Sequence, residues 1–314
     1  MIEGLPEGWR SRPATRGDLD AIVELFRRFD VTLQDEPDTM GEYLRWIWGQ
    51  PQMDLQRDTV VVMAPDGLDA FAQGNWDPET NAPYQLDWCV GPGLPMWSTL
   101  ATSLLVWGET QATERAGGAT VRTGIVAEDA AARALLEARG YAEVRISWDM
   151  ARTLTPSERF PDPAEGVTLR TFRPGLDEHL LYEVAETSFR DHWDHVDRSF
   201  ESFCARTFDQ TFDPTLTFFA DVDGRTAGEL IALEDEGRGY VAHLGVLREA
   251  RGRGAAKALL RSAFAELATR GFTRVELSVD ASSPTGAVAL YEGEGWCEGS
   301  LMPGLTRASS AVLD

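Results

Sequence analysis

Basic charge is what this chain of 314 residues has least of. It holds 29 basic against 51 acidic residues, a net charge of −22, and Lys257 is its single lysine. A field of that sign repels phosphate backbones, which excludes sequence-nonspecific nucleic-acid binding. It would steer a cationic small molecule inward, although net acidity also serves solubility alone. Cysteine is scarce too. Cys89, Cys204 and Cys297 lie far apart, form no Cys-x-x-Cys pair and are odd in number, which argues against a disulfide framework. The first ten residues lack the basic and apolar regions of a signal peptide. No apolar run approaches the roughly 20 residues of a membrane span. These absences lead us to expect a soluble, reduced, cytoplasmic protein with no nucleic-acid or membrane partner. Every basic residue but Lys257 is an arginine, the codon bias of a GC-rich bacterial gene.

What is present is ordinary globular composition, 43% hydrophobic and 25% charged. The length suits two domains. Residues 151–166 hold three prolines and no apolar periodicity, a linker signature that cuts the chain nearly in half. We therefore expect a first domain over 1–154, a linker over 155–166 and a second domain over 167–314. The halves share one plan. Each opens with a short strand and a helix, continues through extended hairpins, and reaches a strand ending in Val90 or Val246. A helix, a strand and a short helix follow. The segment 134–141 aligns with 289–296, so an internal repeat of domain size is the economical reading. The expected fold is α/β (α+β), two tandem domains, each with a mixed, mostly antiparallel sheet flanked by helices. Nothing in the pattern sets an oligomeric state.

The most informative stretch runs from Leu244 to Leu260. An apolar strand ending Leu244-Gly245-Val246 leads into Arg251-Gly252-Arg253-Gly254-Ala255-Ala256-Lys257, where a helix begins. Small residues let backbone approach a ligand closely. The free N–H groups and dipole of a helix start favour an anion such as pyrophosphate. The alternative is a glycine-rich turn with no ligand. A Walker loop is excluded by the lack of Gly-Lys-Ser/Thr, and the dinucleotide fingerprint by the glycine spacing.

With these residues in view, the second half resembles the GNAT superfamily of acyl-CoA-dependent N-acyltransferases. The Arg/Gln-x-x-Gly-x-Gly/Ala signature is met by Arg251, Gly254 and Ala256 after Val246. A later Asn-x-x-Ala…Tyr…Gly-Phe element is matched by 283–287, Tyr291 and Gly295-Trp296. Two-domain members of this length are known, mycothiol synthase among them. The resemblance implies that Leu244, Gly245 and Val246 line the pantetheine and acetyl groups of acetyl-CoA. It implies that the amides of 251–257 hold the pyrophosphate and that Tyr291 protonates the leaving thiolate. Ser283 stands where the family has Asn. Tyr240 occupies the position six before the valine where many members carry a Glu or His base, so we assign it a water-relayed base role. Strand alternation puts His243 on the opposite face from Tyr240 and Leu244 unless a bulge intervenes, and we read it as structural.

His192 and Trp193, in a polar and aromatic stretch over 190–195, are assigned to acceptor binding, with a plain surface cap as the alternative. His192 and His195 lack a third metal ligand of firm spacing, so no metal is expected. Glu234, Asp235 and Glu236 could attract a cationic amine, or form a solvated turn. The first half lacks the equipment: it reads Val90-Gly91-Pro92-Gly93-Leu94-Pro95 with no arginine, and Leu136 stands in place of Tyr291. The expectation is acetyl transfer from acetyl-CoA to a small primary amine, catalysed by the second half. A non-catalytic CoA-binding scaffold and a protein Nα-acetyltransferase are the rivals.

Overall fold

The structure is a computed structural model that describes every residue except 1, 3, 34–39, 81, 119, 157–159, 194, 236, 284 and 308–314. Its contacts divide the chain into two units, residues 1–147 with 300–314, and residues 148–299. In chain order the first half carries β1 (Arg10–Arg12), α1 (Leu19–Asp30), α2 (Met40–Gly49), α3 (Leu55–Asp58), β2 (Thr59–Ala64), β3 (Gly67–Asn75) and β4 (Tyr84–Val90). It continues through α4 (Trp97–Ala116), β5 (Val121–Gly124), α5 (Ala130–Ala138) and β6 (Ala142–Thr153). The second half repeats the plan as β7 (Val167–Thr171), α6 (Glu178–Phe189), α7 (Phe200–Thr207), β8 (Thr217–Val222), β9 (Arg225–Asp235) and β10 (Arg238–Val246). Then come α8 (Ala255–Thr269), β11 (Arg274–Asp280), α9 (Ala287–Gly293) and β12 (Cys297–Arg307).

The first unit orders its strands β1-β2-β3-β4-β5-β12, and the second β6-β11-β10-β9-β8-β7. β1–β2, β2–β3, β3–β4, β5–β12, β7–β8, β8–β9 and β9–β10 pair antiparallel, and β4–β5 and β10–β11 pair parallel. This is the expected mixed, mostly antiparallel sheet flanked by helices. The unit boundaries differ from a cut at 155–166, a stretch that lies inside the second unit together with part of β6. The last strand of each half has changed places. Residues 304–307 of β12 pair with β5 in the first unit, and β6 neighbours β11 in the second. Local pattern does not report such an exchange, because the period of a strand says which face is apolar and not which neighbour it joins.

Each sheet is covered on both faces, and the alternation of its strands assigns side chains to one layer or the other. In the second unit Ala220, Leu230, Ala232, Val241, Val275 and Leu277 pack against Leu259, Leu260, Ala263, Phe264 and Leu267 of α8. Phe219 and Ile231 face the other way, onto Leu181 and Ala185 of α6 and Phe203 of α7. In the first unit Leu100, Leu104 and Leu105 of α4 cover Val60, Val62 and Leu86, while α1 and α2 cover Val61 and Phe71.

The sequence repeat has a backbone counterpart. After α5, Tyr141 N–H bonds to Leu136 C=O and Gly140 N–H to Glu137 C=O; after α9, Trp296 N–H bonds to Tyr291 C=O and Gly295 N–H to Glu292 C=O. These are two copies of the same helix-ending motif, with a left-handed glycine in each, Gly140 at φ +84° and Gly295 at φ +83°. Leu136 and Tyr291 thus hold the same place in their helices.

Leu305 of β12 is fully buried in the core of the first unit. Leu305→Ala is expected to cost about 2–5 kcal/mol. Hydrogen exchange should show the loss in β5 and α4 of the first unit, with α8 keeping its protection.

Candidate functional site

The site is built where two parallel strands part. β10 pairs with β11 at Gly239↔Val275 and Tyr240↔Glu276. Its remaining residues stay in register only with β9, ending at Leu244↔Leu230, Gly245↔Glu229 and Val246↔Gly228. The β11 side of 241–246 is therefore an opened edge whose backbone groups are free to meet a ligand.

Past Val246 the chain turns through Gly252 (φ +76°) into Gly254 (φ +88°), the N-cap of α8. Gly254 brings no capping side chain, and an L-residue at that φ would be strained. The N–H groups of Ala255, Ala256 and Lys257 fall in the first turn, where no intrahelical acceptor exists. With the dipole of a 15-residue helix behind them, they form an anion cradle. A cavity of about 470 Å³ runs beside it along α8, lined by Gly254, Lys257 and Arg261 and walled by Phe160 and Leu169.

The cations of this region are already engaged. Arg251 donates from Nε to Val246 C=O and from a terminal nitrogen to Ser188 C=O, both at 3.1 Å. Its side chain ties the end of β10 to the end of α6. Arg253 pairs with Asp223 at 3.1 Å. Lys257 lies 3.4 Å from the Glu294 carboxylate, which Arg261 also grips at 2.8 Å. With Arg251, Arg253 and Lys257 so engaged, the free donors of the cradle are its backbone N–H groups.

Tyr291 is 8% exposed on α9, its ring 5.8 Å from that of Trp296. Burial first, then the charge of Glu229, pushes its phenol above the ordinary range. Among the described residues its hydroxyl has no hydrogen-bond partner. Ser283 lies in the exposed turn before α9, where its hydroxyl meets that of Thr285 at 2.9 Å. His192 follows α6, with its ring 5.8 Å from Phe189 and 6.3 Å from Trp193, which is 42% exposed. His195 Nε2 lies 3.1 Å from Asp197 and 3.9 Å from Glu186. Glu186, His195 and Asp197 thus come together without His192, a grouping that sequence spacing did not show. Glu234 pairs with Arg270 at 2.8 Å. Glu236, the side chain of Asp235, and Asp194 lie outside the described residues.

The reading of His243 is corrected by the backbone. The β9–β10 register shifts between Val241 and His243, a bulge that inserts Ala242 as an extra residue. Tyr240 opposes Leu233, and His243 opposes Ile231, both partners on the α6 face. Leu244 opposes Leu230 and packs on the α8 side. Tyr240 and His243 thus share a face, and Leu244 takes the other. His243 Nδ1 sits 2.6 Å from Oε1 of Glu229, which is fully buried. Glu229 was not singled out from the sequence. Its signal is a lone carboxylate within the apolar run Ala227–Leu233.

The first unit keeps the opening and loses the rest. β4 pairs with β5 at only Tyr84↔Val121 and Gln85↔Arg122. α4 starts after Pro95 and Met96 without a capping side chain, and Pro95 has no N–H to offer. Leu136 is fully buried where the other copy has Tyr291. Three residues before Val90, as His243 is before Val246, stands Asp87, its carboxylate taken by Tyr43 at 2.8 Å and Gln73 at 2.9 Å.

This arrangement has counterparts among known proteins. The model of the acetyltransferase (GNAT) family matches residues 179–296. A GCN5-related N-acetyltransferase from Sphaerobacter thermophilus, known from its crystal structure, is 33% identical, covers 97% of each chain and superposes with a TM-score of 0.84. The chain belongs to the GCN5-related N-acetyltransferase (GNAT) family. A mycothiol acetyltransferase of Stackebrandtia nassauensis is 34% identical over 168 residues, 52% of this chain and 55% of that protein. One from Thermobispora bispora is 35% identical over 187 residues, 57% of this chain and 63% of that protein. These matches span less than two thirds of those relatives. A tandem GNAT protein from the clavulanic acid biosynthesis pathway shares the fold at a TM-score of 0.73 and 16% identity over 96% of this chain. Among the described residues, no helix is long and apolar enough to cross a membrane.

The two loop arginines of this GNAT site should separate on substitution. Arg251→Ala removes donors to two carbonyls and is expected to cost about 1–3 kcal/mol in chemical denaturation. Arg253→Ala, which breaks an exposed pair, should stay within about 1 kcal/mol.

Proposed function

We propose that the chain is an acetyl-CoA-dependent N-acetyltransferase whose working site lies in the second unit and whose acceptor is the primary amine of a small molecule. The observation that carries this reading is the meeting of three features in one copy: an opened β10 edge, a glycine-entered helix start, and a buried tyrosine with an unpartnered hydroxyl. The first copy has the opened edge alone. The mycothiol acetyltransferase name borne by the relatives fits a small-molecule acceptor.

The residues suit the cosubstrate. In this reading Leu244, Gly245 and Val246 lie along the pantetheine arm, the amides of 252–257 hold the pyrophosphate, that of Arg251 being bonded to Arg248 C=O, and the cavity beside Lys257 and Arg261 takes the nucleotide end, with Ser283 assigned to the cosubstrate as well. Bound acetyl-CoA supplies an activated thioester. Backbone N–H groups on the opened edge stabilise the oxyanion that grows on the carbonyl as the amine attacks. Tyr291 gives its proton to the departing sulfur. Its raised pKa keeps the phenol protonated at neutral pH, and a thiolate of ordinary pKa near 8.5 is weaker than a phenolate as a base. His192 and exposed Trp193, past the end of α6, are assigned to the acceptor.

The test is a panel of small amines with acetyl-CoA, reading free thiol. Turnover with an amine supports the proposal. Absence of turnover together with absence of CoA binding in calorimetry overturns it in favour of a scaffold, and preference for peptides points to a protein Nα-acetyltransferase. Tyr291→Phe is expected to lower kcat about 10²-fold or more, with acetyl-CoA affinity unchanged in calorimetry.

A further inference from the structure

We propose that Glu229 and His243 form the proton-accepting dyad of this site. His243 Nε2 is the base that takes the proton from the acceptor amine, and Glu229 is the positioning residue that orients it. The inference rests on the acetyl-transfer reading above and supplies the base which that reading lacks.

Glu229 is where a sheet interior tolerates a carboxylate least. It is 0% exposed on β9, between Gly228 and Leu230, and its Oε2 has no hydrogen-bond partner among the described residues. An incompletely satisfied buried carboxylate costs stability that an apolar residue would not. Its position is held for the one contact it makes, the 2.6 Å approach of Oε1 to His243 Nδ1. Nδ1 donates to the carboxylate, so a neutral ring carries its lone pair on Nε2. Phe189 lies against the ring with centroids 4.0 Å apart. The imidazole is thus held from two sides. Its side chain remains 28% exposed, and Nε2 has no hydrogen-bond partner among the described residues.

The dyad stands at the reacting end of the strand. Gly245, two residues on and on the same face, faces Ser188 and Glu229 so closely that any Cβ there would collide with both. The glycine leaves room for the carboxylate beside the opened edge. The charge of Glu229 adds to burial in holding the Tyr291 phenol above its ordinary pKa. The other groups around His243 are Tyr240 on its own strand, His192 beyond Phe189, and Arg251 with Asp191 at the end of α6, 3.6 Å apart. Tyr240 is the weaker base, since a phenol near pKa 10 is protonated at neutral pH.

The proton ledger closes. The amine nitrogen forms the C–N bond and gives its proton to His243 Nε2. The C–S bond breaks and the sulfur takes the phenol proton of Tyr291. The imidazolium proton returns to the phenolate through water, leaving amide and thiol with both residues as they began.

Two measurements test the dyad, with an amine that the panel shows to be turned over. In pH profiles of kcat/KM, His243→Gln should remove the acid limb and lower kcat about 10²-fold or more, with unchanged calorimetric affinity for acetyl-CoA. Glu229→Gln, which can still accept from Nδ1, should lose less and move that limb to lower pH. Independently of any acceptor, imidazole ¹⁵N spectra of the wild-type protein at neutral pH should show the Nδ1–H tautomer for His243, and Glu229→Leu should abolish that preference. An Nε2–H tautomer in the wild type overturns the proposal, even where a variant fails to fold. So does an acid limb that survives His243→Gln or vanishes in Tyr240→Phe instead. A wild type without turnover on any amine overturns the acetyl-transfer reading and the base role with it, whereas turnover retained in His243→Gln overturns the dyad alone.

Discussion

The parting of β10 from β11 is the constraint on which the site depends. Two parallel strands that stop pairing after Tyr240↔Glu276 leave backbone donors and acceptors to be satisfied otherwise. One carbonyl at the end of the opened stretch, that of Val246, is met by Arg251, whose guanidinium also reaches Ser188 C=O on α6. The arginine holds the end of the strand while its other edge stays open. The same departure directs the chain through Gly252 and Gly254 into α8, which brings the helix's free N–H groups to the mouth of the opening.

The two copies share some features of the fold and differ in others. Both retain the opened parallel pair, the helix that follows it and the helix-ending motif at Gly140 or Gly295. These belong to packing and hydrogen bonding. The parts that differ are the helix start, preceded by Pro95 in one and Gly254 in the other, and Leu136 against Tyr291. A leucine at that place adds to the core of the first unit. A tyrosine there adds a hydroxyl that has no hydrogen-bond partner among the described residues. The second copy also carries the buried, incompletely satisfied carboxylate of Glu229.

The acidity of the chain also reads differently once side chains are placed. Arg251, Arg253 and Lys257 cluster around the cradle in sequence, yet one bonds to backbone and the other two face Asp223 and Glu294. In a protein of net charge −22, the positive potential left at the cradle is that of backbone dipoles, which carry no countercharge to be neutralised.

Much of this was legible in the residues themselves. The repeat, the mixed sheet with its helices, the helix start at Gly254 and the paired places of Leu136 and Tyr291 follow from local rules of periodicity, glycine conformation and helix termination, which act over a few residues. Three features did not. The bulge at Ala242 reverses the face of His243, because alternation holds only until an extra residue is inserted. The partnership of Glu229 with His243 joins residues 14 apart in sequence across two strands, and only pairing register brings them together. The exchange of β6 and β12 between units is a choice of neighbour, made by edges that no single strand's pattern describes. The sequence alone determined the fold and the place of Tyr291 in its helix; the tertiary structure decided that His243 meets Glu229, because strand register is settled by partners far away in the chain.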